Sequence, residues 1–357
     1  MPQQLACLCL LRCLELRFTR TVVADIDGIP FSAGFATRRL PRRQAGVIST
    51  ITLRATACAL SIDAEAVDHL VAHPGPGRVH SVFNRVVNVI SGDGRLIALC
   101  ASELDDAPWS VRADVPHWTN WRLSTGDDVR LSSAAIMFPG RAPRVVQLSK
   151  AVKWYTNLVP VDLGLLELGR RSKALASLLD VQGVRGGARA HGEAVTVFEA
   201  EIRNQLAHAC TALVTAIRRR DAPAVAAAAT SLLGLGPGLT PAGDDFLTGM
   251  ALLAAQPRSR LSWITPVIGR VLDDDPERTT LLSRTTLREA LRGRARQCLL
   301  ELLHVLLAPD PRGDGQLEVQ LRIHATPVLG IGHTSGTDIL SGLLAGLRLE
   351  EELRGFM

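Results

Sequence analysis

Residues Gly234-Leu235-Gly236-Pro237-Gly238-Leu239-Thr240-Pro241-Ala242-Gly243-Asp244-Asp245 run straight into the apolar stretch Phe246-Leu247-Thr248-Gly249-Met250-Ala251-Leu252-Leu253. Closely spaced glycines let a backbone take left-handed angles or come close to a ligand, and Pro237 and Pro241 stiffen the segment. The pattern predicts a tight loop feeding an apolar helix, with Asp244 or Asp245 as its cap. Free amides at such a terminus attract anions. The segment is therefore expected at the heart of a ligand or catalytic site.

The layout recurs. Gly330-Ile331-Gly332-His333-Thr334-Ser335-Gly336-Thr337-Asp338 is followed by Ile339-Leu340-Ser341-Gly342-Leu343-Leu344. Residues 243–249 lie over residues 336–342, giving the shared pattern Gly-x-Asp-apolar-Leu-Ser/Thr-Gly. With a one-residue gap, Gly238-Leu239-Thr240 also falls over Gly332-His333-Thr334. We read a degenerate internal repeat whose two loops face one site. Asp245 with Thr248, and Asp338 with Ser341, share a helix face at i, i+3. Gly249 and Gly342 would let the two helices pack closely. The blander alternative makes each Asp a cap and each Gly a packing residue.

The residue types suggest acid–base chemistry on a small anion. His333 is the natural general acid/base, with Asp245 and Asp338 as its catalytic partners. Gly236, Gly238, Thr240, Gly243, Asp244, Thr334, Ser335 and Gly336 form the expected substrate or phosphate cradle. Arg284, within Ser283-Arg284-Thr285-Thr286, is the cation chosen for a phosphate or carboxylate. His80 and Ser81, polar within the strand-like run Val79-His80-Ser81-Val82-Phe83-Asn84, are further binding candidates. No metal-ligand spacing is read; magnesium is the one cofactor that the Asp244–Asp245 pair admits. The loop lacks the lysine of a Walker phosphate loop. It also lacks dinucleotide-fold spacing after a strand and the elbow of a serine hydrolase.

Working outward, the chain of 357 residues is 47% hydrophobic and 21% charged, which suits a folded protein with a sizeable core. The net charge is +5. Seven arginines against three acids in residues 1–50 account for most of it, so the rest is nearly neutral. No basic stripe interleaved with aromatics points to nucleic acid. The seven cysteines form no zinc or disulfide framework and read as reduced thiols of a cytoplasmic protein. Residues 5–11 faintly resemble a signal core, but no basic residue precedes them, so secretion is not expected. No apolar run reaches the ~20 residues of a membrane span.

The fold expected is α+β, a β-rich N-terminal half followed by an all-helical C-terminal half that carries the two Gly-rich loop–helix motifs. Residues 1–50 are expected to be a poorly ordered extension or the product of a misplaced start, with a basic docking arm as the functional alternative. Residues 51–155 form the β-rich domain and 156–357 the helical one. Strands are expected at 47–54, 79–90, 95–101, 110–114, 128–138 and 143–149, with Asp93-Gly94 as a hairpin turn. A short helix is expected at 62–72, capped by Asp63 or Ser61. Longer helices are expected from Leu165 to Leu179 and at 194–219, 223–233, 245–255, 260–272, 279–292, 295–307 and 337–350. Pro266 is expected to kink or split the 260–272 helix.

The run G-L-G-P-G-L-T-P-A-G-D-D-F-L-T-G at 234–249, the later G-H-T-S-G-T-D, and Val79-His80-Ser81-Val82-Phe83 ahead of Asp93-Gly94-Arg95-Leu96 resemble the AllH-type subunit family of oxamate carbamoyltransferase. The resemblance covers about residues 55–350. It implies a subunit of a multi-protein carbamoyltransferase in allantoin and purine catabolism. That enzyme interconverts oxalurate and phosphate with oxamate and carbamoyl phosphate. Companion subunits and a small anionic substrate are then the expected partners, with neither nucleic acid nor membrane. A non-catalytic scaffold or binding subunit and a magnesium–nucleotide enzyme are the competing classes.

Overall fold

The computed structural model describes residues 55–355, apart from 141, 157–160, 164–166, 185, 189–195 and 309–315. The expected extension at 1–50 and the strand at 47–54 lie outside the described residues. The first half holds β1 (Ala55–Asp63), α1 (Ala64–Ala72), β2 (Gly75–Val82), β3 (Val86–Ser91), β4 (Leu96–Cys100), β5 (Ser110–Ala113), β6 (Asp128–Leu131), β7 (Ala135–Phe138), β8 (Arg144–Gln147) and β9 (Val152–Trp154).

The strand order is β5-β4-β3-β2-β6-β7-β8-β1, and β1 pairs back onto β5, so eight strands close a barrel. Closure removes the free edges that an open sheet would expose. Alternating side chains fill the interior; Val87, Val89, Ile97, Leu99, Val111, Ile136 and Val146 are fully buried. β9 continues along β1 beyond β8.

The fold class is as the sequence indicates, with local corrections. The run 79–90 is two strands, because Phe83 N–H bonds back to the Val86 carbonyl and turns the chain. The run 128–138 is likewise divided, at Ser132. The turn at Asp93-Gly94 does join β3 to β4. β1 and β9 were not anticipated; β1 reads Ala-Thr-Ala-Cys-Ala-Leu-Ser-Ile-Asp, poor in the branched and aromatic residues that mark strands. Asp63 stands at the N-cap of α1 but makes no side-chain cap. Its carboxylate accepts instead from Trp109 N–H and the Arg294 guanidinium.

The second half holds α2 (Leu168–Gln182), α3 (Val197–Arg218), α4 (Ala222–Leu232), α5 (Ala242–Ala254), α6 (Ile264–Asp274), α7 (Leu281–Leu291), α8 (Gln297–Leu307), α9 (Gln316–Leu329) and α10 (Ser335–Leu353). α9 was not anticipated. Leu317, Val319, Leu321 and Ile323 alternate as in a strand, yet the helix buries Leu317, Leu321, Ala325 and Val328 and leaves Val319 and Ile323 exposed. Pro266 does not split α6, because it sits in the first turn, where its missing N–H is not needed. The cap of α5 is Pro241, not Asp244 or Asp245.

Every residue of α5 is buried, and it packs along α10 at the centre of the helical core. The crossing is reciprocal. A Cβ on Gly249 would strike the Ile339 carbonyl, and one on Gly342 would strike the Phe246 carbonyl. These are equivalent positions of the internal repeat. Gly243 likewise rests on the Leu232 carbonyl at the end of α4, and Gly336 on the Val328 carbonyl at the end of α9. The repeat is therefore two helix–loop–helix units, α4–α5 and α9–α10, packed face to face.

This packing predicts a graded response to methyl groups. Gly249→Ala and Gly342→Ala should each cost at least about 1–3 kcal/mol, the usual penalty of overpacking, because backbone cannot yield as a side chain does. Gly269→Ala on α6, where a Cβ meets nothing within 4 Å, should be neutral or gain up to about 1 kcal/mol. Urea unfolding of the three variants checks this; equal stabilities would remove the close crossing as a constraint.

Candidate functional site

The two Gly-rich loops meet. The hydroxyls of Thr240 and Ser335 lie 2.8 Å apart, one from each loop. Beside them is Asp245, in the first turn of α5 and almost fully buried. Burial pushes its carboxyl up to about 8; the hydroxyls of Ser335 and Thr240 oppose this, and the charges of Asp338 and Asp244 add to it. Asp338, its repeat equivalent on α10, is fully buried and pushed up to about 7, again chiefly by desolvation. One oxygen of Asp338 accepts from Ala188 N–H at 2.7 Å. The Oδ2 atoms of both aspartates are buried without a hydrogen-bond partner.

Asp244 serves a different purpose. It accepts from Gly234 N–H at 2.9 Å and from the Thr279 hydroxyl, tying the loop to the segment ahead of α7. Its carboxyl is also raised by burial. The two adjacent aspartates therefore do not present a pair of free carboxylates to an ion, and the magnesium expectation does not fit. Several of the amides expected to be free are instead engaged within the protein. Gly243 N–H donates to the Leu235 carbonyl, and Asp244 and Asp245 N–H to the Pro241 carbonyl. At α10, Gly336 and Asp338 N–H donate to the Ile331 and Thr334 carbonyls.

Asp245, Thr240, Thr248 and Ser335 form one wall of a cavity of about 320 Å³ at the seam between barrel and helices, within the size range of small-ligand sites. The barrel contributes Val86, Asn88, Leu96, Ala98 and Cys100, and Glu289, Arg294 and Arg296 complete the polar part of the lining. The lining is largely apolar, with these polar groups converging on it. Phe83, Val86, Leu104, Asp105, Arg296 and Ile331 also line a broader groove of about 720 Å³.

The arginines are held by carboxylates drawn from across the seam. Arg294 donates to Asp63 at 2.8 Å and forms ion pairs with Glu289 at 2.6 Å and with Glu65. Arg296 pairs with Asp105, whose second bond comes from Cys298 N–H at 3.0 Å. Trp109 Nε1–H donates to Glu289 at 3.0 Å. The network ties the barrel to α7 and to the turn between α7 and α8.

The structure separates the remaining sequence candidates. His333 is exposed and does not line the cavity, whereas Asp245 does. Gly238 is at the exposed loop tip, while Gly236, at φ +122, folds the loop back against the Ala242 amide. Thr334 stands at the start of α10 beside Asp338. Arg284 bonds the Pro276 carbonyl at 3.0 Å and lines a separate pocket of about 210 Å³ with Arg95 and Arg288. His80 sits at a β-bulge between Val79 and Ser81. Ser81 acts at one remove, accepting from the side chain of Asn88, which does line the cavity. Arg294 and Arg296 were missed. The alternation Arg292-Gly293-Arg294-Ala295-Arg296 was their only trace, and it reads as a solvated basic turn until the acids at 63, 65 and 105 are brought to it.

The fold and site define a closed barrel joined to a helical core, with aspartates of raised pKa buried at the crossing of two repeated helices. Residues 58–153 match the AllH family N-terminal domain, and residues 232–347 match the model described as oxamate carbamoyltransferase subunit AllH. Together these span more than half of the chain, which belongs to the AllH family. No solved structure gives a significant match. Among the described residues no helix is long and apolar enough to cross a membrane.

A carboxyl whose folded-state pKa exceeds its unfolded value binds more protons when folded. Its contribution is full below the unfolded value and is lost as pH rises through the folded one. With Asp245 raised from 3.8 to about 8 and Asp338 to about 7, stability should fall as pH rises from ~4 to ~8. Asp245→Asn and Asp338→Asn should flatten that fall, and at about pH 9 should melt no lower than the parent. Thermal melts across this range check it; an unchanged slope in both variants would show that neither aspartate is held protonated.

Proposed function

We propose that this chain is a subunit of an oxamate carbamoyltransferase-type enzyme in allantoin and purine breakdown, and that the seam cavity takes part in its chemistry. Membership of the AllH family carries this reading. The reaction joins oxalurate and phosphate to give oxamate and carbamoyl phosphate. A phosphate oxygen attacks the carbamoyl carbon, the bond to the oxamate nitrogen breaks, and a proton must reach that nitrogen. A carboxyl held neutral near pH 7 can supply it, and Asp245 is such a group with the Thr240 and Ser335 hydroxyls beside it. Arg294 and Arg296 would face the anionic ends of the substrates while their own carboxylate partners hold them in place.

A second reading, a non-catalytic binding subunit, draws support from the packing role of Gly243, Gly249, Gly336 and Gly342. Assay with the companion subunits separates the two. The parent assembly should form carbamoyl phosphate from oxalurate and phosphate. Asp245→Asn should lower the rate about 100-fold or more without dissociating the assembly, whereas His333→Ala should keep most of it. Full activity in Asp245→Asn would favour the binding subunit.

A further inference from the structure

In the N-terminal half, the last turn of α1 carries His69, His73 caps the end of that helix, and the β3–β4 turn carries Asp93. The His69 and His73 rings lie 5.0 Å apart between centroids. One ligating atom from each of the three side chains falls within 4.8 Å of the other two. His69 is only 8% exposed, and its Nε2 stands 3.4 Å from Asp93 Oδ1. That nitrogen is buried and makes no hydrogen bond. Leaving a buried ring nitrogen unsatisfied is costly.

The spacing has another meaning. Ligands at 2.0–2.1 Å from a tetrahedral zinc ion are about 3.4 Å from one another. His69 and Asp93 already stand at that separation, and His73, which is exposed, needs only a small side-chain movement to join them. Two imidazoles and a carboxylate are a donor set suited to zinc-like divalent ions. We propose that His69, His73 and Asp93 form a binding site for a zinc-like divalent cation, which pins the end of α1 to the β3–β4 turn. Three protein ligands leave a coordination position open. Asp93 also lines the pocket that holds Arg95, Arg284 and Arg288, so a small anion could reach the ion. The Arg95 guanidinium, stacked on Trp109 at 4.2 Å, opposes any cation nearby and sets the expected affinity in the micromolar range rather than tighter.

The test uses the full chain, stripped with a chelator and titrated with zinc alone. Calorimetry and metal analysis should give one tight equivalent, and the melting temperature should rise on loading. Cobalt should give the visible bands of a low-symmetry four- or five-coordinate site. His73→Ala, at an exposed position, and Asp93→Asn should each weaken zinc by at least about tenfold, since loss of an outer partner alone costs about 10- to 100-fold. His208→Ala, at an exposed histidine on α3, should change nothing. Circular dichroism confirms that the variants fold. No zinc binding by the parent at concentrations up to about 100 μM, or binding unaffected by both His73→Ala and Asp93→Asn, would overturn the proposal. The first result would leave an ordinary His69–Asp93 ion pair, and the second would place the zinc elsewhere.

Discussion

The crossing of α5 and α10 is the constraint from which the rest of the helical half follows. Two helices approach closely enough for backbone to touch backbone only where side chains are absent, and here Gly249 meets the Ile339 carbonyl while Gly342 meets that of Phe246. Because the contact is reciprocal, it brings the first turns of both helices, and the loops that precede them, to one place. Thr240 meets Ser335, and Asp245 comes within electrostatic reach of Asp338, as a consequence. A side chain at either glycine would separate the helices and take the two loops apart with them.

Burial then does the chemistry. Close packing strips water from the aspartates, and a carboxylate without water or a cation is costly. The two repeat-equivalent acids therefore hold protons near neutrality, while Asp244, with amide and hydroxyl donors, serves as a structural tie. Across the cavity the reverse arrangement holds. Arg294 is held by Asp63, Glu65 and Glu289, and Arg296 by Asp105. The cavity is thus lined both by a buried acid of raised pKa and by arginines tied to carboxylates.

Much of the architecture was legible. The strand-rich front, the helical back, the Asp93-Gly94 turn and the internal repeat all rest on local patterns: alternation, turn residues and matched glycines. What went unread or misread was equally local. Leu317 to Ile323 alternates like a strand but folds as α9, because burial against neighbouring helices selects Leu317, Leu321 and Ala325 and leaves Val319 and Ile323 in solvent. Asp63, Asp244 and Asp245 looked like caps, since an acid before an apolar run usually is one. Each has a side chain committed to the interior instead.

The sequence by itself determined that two similar loop–helix units exist, that their glycines allow close approach, and that acids and hydroxyls sit at matched positions. These are properties of residue type and spacing, which the chain carries without folding. Only the tertiary structure decided which of those groups share a cavity and which protonation state they hold. His333 stands beside Thr334 and Ser335 in the chain, yet it is exposed. Arg294 lies more than two hundred positions from Asp63, yet their side chains bond at 2.8 Å. Proton affinity follows desolvation and the charges of neighbours, and both are set by contacts between residues far apart in sequence.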